Sequence, residues 1–271
     1  METIFRIDAF ADQRFTGNPA GVVILGFWRD DALLQRVAFE NNYSETAFLV
    51  PASGDDWEIR WFTPTAEVGL CGHATLAAAH AVFSHTGSEA KQVTFHADEA
   101  GTLTVKRELF DRYQLRFPSV EPRELPITEA AVEALGVRPL ELYEGRYSPE
   151  EHDLMAVLES EAAVRALEPD GPALASLKSR GVIFTAPAEG EDADFVSRCF
   201  YPNVGIYEDP ATGSAHCLMT PYWSERLRGR YSLKARQLST RGGWLECRHE
   251  GPRVLISGRV VGYLDGALYL D

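Results

Sequence analysis

Positive charge is what this chain has least of. Lysine and arginine number 26 against 40 aspartates and glutamates, a formal net charge of −14. Nucleic acid or an anionic membrane surface would demand a basic footprint, so neither is expected as a partner. Cysteine is sparse as well. Cys71, Cys199, Cys217 and Cys247 make no C-x-x-C pair, which argues against a zinc site and still more against a disulfide framework. No stretch approaches the ~20 apolar residues that span a bilayer. The opening METIFRIDAFADQRF lacks the basic region, apolar stretch and cleavage site of a secretion signal. The expectation is a soluble cytoplasmic protein.

What is present is ample core material, 45% hydrophobic over 271 residues, enough for one large domain or two of about 130 residues. An internal repeat favours two. Residues 60–64 read RWFTP and residues 198–202 read RCFYP, an R-x-F-x-P match. Continued without gaps, the match sets Cys71-Gly72-His73 opposite Asp209-Pro210-Ala211. Before the first copy stand AGVVILG, DALLQRVAFENN and TAFLVP; before the second stand HDLMAVLE, ALASLKSR and GVIFTAP. Period-2 and period-3.6 segments thus recur in the same order. The expected halves are 1–118 and 135–271, joined by a Pro- and Glu-rich linker at 119–134, with the last strand free to cross back. Duplicated halves tend to face one another across a crevice suited to a small ligand.

Each half carries a glycine-containing turn into a helix: CGHATLAAAHAVF in the first, DPATGSAHCLMTPYW in the second. A helix N-terminus presents unpaired N–H groups and partial positive charge, so Gly72, Gly213 and Ser214 mark two expected anion sites despite the net charge. Plainer roles compete. Asp209 followed by Pro210 reads as an N-cap, and Ser214 and His73 read as capping or surface residues. Cys71 and Cys217 read as small buried hydrophobes. Glu45, at the mouth of the apolar strand in NNYSETAFLV, is costly to desolvate without a partner; it reads as an ion-pair anchor, a water-facing strand end or an acid–base group.

Taken together, the strings GNPAG, SETAF, CGHAT and EDPATGSA, in this order and spacing, resemble the PhzF-like phenazine biosynthesis family over nearly the whole chain, as do RWFTPTAEVGL and QLSTRGGWLE. The resemblance implies an α+β, diaminopimelate epimerase-like fold: two pseudo-symmetric halves, each a mixed sheet or barrel around a central helix. It implies a cytoplasmic isomerase, a homodimer, that moves a proton on a small amino or hydroxy carboxylic acid, as in isomerisation of trans-2,3-dihydro-3-hydroxyanthranilate. It makes Glu45 the general acid–base and places His73, Asp209, Ser214, Gly72, Gly213 and Asn18 around the substrate, with no cofactor and no metal. A shuttle needs both protonation states of Glu45 within reach, which burial favours. Two other readings stand beside it. A two-thiol amino-acid racemase would need a second cysteine opposite Cys71, where the ungapped repeat puts Asp209. A metabolite-binding protein would keep the same residues without turnover.

Overall fold

The structure, a computed structural model, describes residues 1–270. The chain forms two compact units, one of Met1–Arg116 with the segment from Ser257 onward, the other Phe117–Ile256. The expected boundaries of 1–118, 119–134 and 135–271 differ from these in the placing of the linker. The Pro- and Glu-rich stretch belongs to the second unit and holds a short strand and a helix. The long last strand, Arg253–Leu268, runs back to pair antiparallel with the first strand of the chain, Glu2 opposite Leu268.

The first unit contains β1 (Glu2–Ala9), β2 (Asn18–Ile24), α1 (Asp31–Asn41), β3 (Glu45–Pro51), β4 (Trp57–Phe62), β5 (Glu67–Val68), α2 (Gly72–Thr86), β6 (Gln92–Ala97), β7 (Gly101–Arg107) and β8 (Arg112–Pro118). β1 and β2 pair antiparallel, β2 and β3 parallel, β3 and β4 antiparallel. β4 and β6 pair parallel, and β6, β7 and β8 follow antiparallel, with β5 hung on β4. The last strand joins β8 as well as β1 and closes the circuit. α2 packs against β1, β2, β3 and β7, and every residue from His73 to Phe83 except His80 is buried. Its alanines explain both facts: they are the strongest helix formers and their small side chains admit strands closely on several sides. Outside the strands, α1 lays Leu34, Val37 and Ala38 on Val23, Leu25, Phe48 and Phe62.

The second unit contains β9 (Arg123–Leu125), α3 (Glu129–Leu135), β10 (Glu141–Arg146), β11 (His152–Val157), α4 (Glu161–Arg165), α5 (Gly171–Ala175), β12 (Gly181–Pro187), β13 (Phe195–Tyr201), β14 (Ile206–Asp209), α6 (Gly213–Arg226), β15 (Ser232–Gln237) and β16 (Gly243–Glu250). Its pairing repeats that of the first unit. β10 and β11 are antiparallel, β11 and β12 parallel, β12 and β13 antiparallel. β13 and β15 are parallel, β15 and β16 antiparallel, and β14 hangs on β13 as β5 does on β4. Buried α6 takes the part of α2.

The R-x-F-x-P segments occupy β4 and β13, and their side chains do the same things. Arg60 forks onto Glu67 at 2.7 and 2.6 Å; Arg198 forks onto Glu208 at 2.7 and 3.0 Å. Each guanidinium lies over the phenylalanine two residues on, 5.2 Å from Phe62 and 5.0 Å from Phe200. Each of those rings meets a phenylalanine of the preceding strand edge-on, Phe48 at 5.5 Å and Phe184 at 5.8 Å. The ungapped continuation of the repeat is corrected by these forks. Glu208 stands three residues later relative to Arg198 than Glu67 does to Arg60, and the extra length is a turn of 3₁₀ helix, Pro202–Val204. The N-caps Cys71 and Thr212 therefore correspond, as do Gly72 with Gly213 and His73 with Ser214; Asp209 does not stand opposite Cys71.

Candidate active site

Asn18 and Glu45 are the first residues of β2 and β3, adjacent parallel strands in which Ala20 pairs with Glu45. The same end of the unit receives the start of α2, whose second residue is His73. The topology thus brings three of the expected site residues together. Glu45 Oε2 lies 3.3 Å from His73 Nε2, with the two side chains only 13% and 7% exposed. Asn18, fully buried, places Nδ2 at 3.2 Å from His73 Nδ1. Ser44 Oγ donates to Asn18 Oδ1 at 3.2 Å and lies 3.3 Å from His73 Nε2.

This network decides the tautomer. With Asn18 Oδ1 accepting from Ser44, the amide N–H of Asn18 donates to Nδ1, and the ring proton sits on Nε2, where Ser44 Oγ accepts it; the approach of Glu45 Oε2 to that nitrogen is a contact without hydrogen-bond geometry. Burial pushes the imidazole pKa down; the Glu45 charge opposes that shift without reversing it. A neutral ring sets no full positive charge beside the carboxylate. Cys71 adds a thiol 3.4 Å from Nδ1. Gly72 opens α2, and its N-cap Cys71 makes no side-chain cap, whereas Thr128, Ser160 and Asp170 cap α3, α4 and α5 in the usual way.

The second unit gathers Asp209, Gly213 and Ser214 at the start of α6. Asp209 is not the N-cap expected of it. It ends β14, and Thr212 holds the cap position without bonding the helix. The Thr212 hydroxyl donates instead to Asp209 Oδ2. Gln237, fully buried in β15, ties the segment down: Nε2 donates to the Asp209 carbonyl at 2.7 Å and Oε1 accepts from Thr212 N–H at 2.8 Å. Arg180 forks onto buried Asp153 at 2.9 and 2.7 Å and reaches Ser214 Oγ at 3.2 Å. The Tyr147 hydroxyl donates to the Ser214 carbonyl at 3.1 Å. Burial holds that phenol well above its ordinary pKa of 10, so it stays a donor at neutral pH. Cys217 lies a turn into α6, buried, with Sγ 3.7 Å from the Gly213 carbonyl. Burial pushes its thiol pKa well up, which leaves no thiolate for a two-thiol mechanism.

Sequence reasoning missed Ser44, Thr212, Gln237, Arg180 and Tyr147. Ser44 and Thr212 were legible as polar neighbours of Glu45 and Gly213. Arg180 and Tyr147 have no local signal, because they arrive from strands and turns distant in sequence.

A mixed sheet packed around a buried helix, made twice with the same strand pairing, defines an α+β fold of the diaminopimelate epimerase and proline racemase kind. The likeness to a probable proline racemase of Agrobacterium radiobacter shows that fold: TM-score 0.70 at 15% identity, over 100% of this chain and 94% of the other. The chain belongs to the phenazine biosynthesis-like (PhzC-PhzF) family, whose model matches residues 7–266. A PhzF family protein of Enterococcus faecalis superposes with TM-score 0.92 at 41% identity over 99% of both chains. An uncharacterized isomerase of Pseudomonas aeruginosa is 48% identical over 98% of each. The protein is accordingly an enzyme of the isomerase class. Among the described residues, no helix is long and apolar enough to cross a membrane.

Proposed function

We propose that the protein isomerises a small amino or hydroxy carboxylic acid by cofactor-independent proton transfer, with Glu45 as the shuttle. The carboxylate takes a proton from one carbon, becomes a carboxylic acid, and returns the proton to another carbon on the same face, so that nothing is gained or lost. A dihydro-hydroxyanthranilate is one substrate of this type. The observation that carries the reading is the Glu45–His73 contact: a largely buried carboxylate against a neutral imidazole that Asn18 and Ser44 hold in place. The uncapped first turn of α2 at Gly72 offers N–H groups to a substrate carboxylate. The α6 start, with Asp209, Gly213 and Ser214, is read in the same way as a substrate-binding element.

The test is solvent deuterium exchange into a panel of cyclic and acyclic amino and hydroxy acids. Wild-type protein should label at least one of them, and Glu45→Gln should slow labelling by at least about 100-fold while a ligand that protects the wild type against melting still protects the variant. Labelling that persists without the carboxylate sinks the proposal.

A further inference from the structure

The start of α2 holds one group that a carboxylate–imidazole shuttle does not use. Cys71 is buried, yet its sulfur faces His73 rather than the apolar core. A carboxylate oxygen of Glu45, the thiol sulfur of Cys71 and one ring nitrogen of His73 all lie within 4.8 Å of one another. The Glu45 oxygen lies 3.3 Å from Nε2 of the ring and the Cys71 sulfur 3.4 Å from Nδ1, so an ion on a single ring nitrogen draws one of the two ligands along the ring edge. Sulfur, nitrogen and oxygen donors of this kind are those zinc takes, with bonds of about 2.0–2.3 Å that set neighbouring ligand atoms of a tetrahedral ion roughly 3.3–3.8 Å apart. The three atoms therefore need to close by about an ångström at their widest pair to bind one ion, and they leave its fourth position open. No local spacing motif announces the site, because the carboxylate comes from another strand.

Asn18 supplies what such a site needs around it. A ligating imidazole is held by a hydrogen bond to its other nitrogen, and a primary amide offers either a donor or an acceptor by turning over. Asn18 can thus hold the ring in the tautomer that suits Glu45 or in the one that suits an ion.

We propose that Glu45, Cys71 and His73 form a site for a thiophilic divalent cation, of which Zn²⁺ is the natural case, and that its occupancy inhibits the enzyme. On binding, the thiol proton leaves to solvent and sulfur, nitrogen and oxygen each donate a pair to the ion; nothing is oxidised or reduced. The ion occupies the carboxylate that would otherwise take the substrate proton. Mg²⁺ and Ca²⁺, which prefer all-oxygen surroundings, are not held. The inhibition rests on the shuttle reading; the binding does not.

The experiment is a titration with Co²⁺ as a spectroscopic stand-in, followed by displacement with Zn²⁺. Wild type should bind one Co²⁺ per chain with thiolate-to-cobalt charge-transfer absorption, and Zn²⁺ should bleach it. Cys71→Ser should remove the absorption, and both Cys71→Ser and His73→Gln should weaken Zn²⁺ binding more than about 10-fold, while Cys247→Ser changes neither. An absorption that survives Cys71→Ser, or no saturable Zn²⁺ binding below about 1 mM, overturns the site. Deuterium exchange that continues at full rate with Zn²⁺ bound overturns the inhibition. Zn²⁺ binding to a protein that exchanges nothing even when metal-free supports the site and sinks the shuttle reading instead.

Discussion

Arg60 and Arg198 hold equivalent forked ion pairs in the two halves, but in unequal surroundings. The Arg198 and Glu208 side chains are 14% and 15% exposed, and Arg198 Nη1 also donates to the Leu167 carbonyl at 2.6 Å. Glu67 and Asp31, the partners of Arg60, are 42% and 75% exposed. Solvent screens an exposed pair to little net value, whereas removing one member of a buried pair strands the other. Arg198→Met should therefore cost about 3 kcal/mol or more, against about 1 kcal/mol for Arg60→Met. Urea unfolding of both variants checks this; equal losses would mean that exposure does not set what each fork contributes.

The halves were legible because their signal is local. Strand and helix periods recur in order, and the R-x-F-x-P match lands on β4 and β13. What failed was register across an insertion. Pro202–Val204 adds a turn that leaves no trace in hydrophobic period, so counting placed Asp209 where Thr212 belongs. The N-cap reading of Asp209 rested on the Asp-Pro order, but the helix begins only at Gly213. The linker was misread for a different reason: Pro118, Pro122 and Pro126 mark breaks, but β9 between them is three residues long, too short for alternation to show. Thr128, by contrast, does cap α3 through a bond from Ala131 N–H. The pairing of the last strand with β1 joins residues at opposite ends of the chain, and no local pattern specifies it. The motifs named Glu45, His73 and Asn18 together, but their contacts with one another and with Ser44 could be read only from coordinates.

His216 makes stability depend on pH. It is fully buried in α6, its Nδ1 2.7 Å from the Thr212 carbonyl, and its Nε2 has no hydrogen-bond partner. Burial lowers its pKa from 6.5 to about 4. The unfolded chain takes up a proton below pH 6.5 that the native state refuses until about pH 4. Stability therefore falls as pH drops through that window, by about 1.4 kcal/mol per unit and roughly 3 kcal/mol in all. His216→Leu should flatten that part of the profile by one proton, as read from urea midpoints at several pH values. An unchanged slope would assign the acid sensitivity to carboxylates.

Gln237 is a positioning residue for the segment that carries Asp209. Gln237→Leu leaves the Thr212 N–H and the Asp209 carbonyl without the bonds they have now, each at a typical cost of about 1–3 kcal/mol. The variant should melt at least about 4 °C lower. If Asp209 binds substrate, the KM for any substrate identified should rise more than kcat falls. Normal melting with normal kinetics would show the segment to be held by its own turn.

The tautomer of His73 can be read directly. In the wild type, ¹⁵N spectra of labelled histidine should show His73 protonated on Nε2 and bare on Nδ1, because Asn18 donates to Nδ1 while its own oxygen accepts from Ser44. Asn18→Asp replaces that donor by an acceptor. The proton should then move to Nδ1, or both nitrogens should carry one, as the new carboxylate draws positive charge onto the ring. Either way the ring beside Glu45 turns a bare nitrogen toward it or gains a charge that makes the carboxylate a poorer base, so deuterium exchange should fall while Glu45 itself is untouched. A buried carboxylate is destabilising, so Asn18→Leu serves as the control: it removes the donor without adding charge and should leave the tautomer mixed. A wild-type ring protonated on Nδ1 would mean that the amide is turned the other way and that Ser44 donates to a bare Nε2.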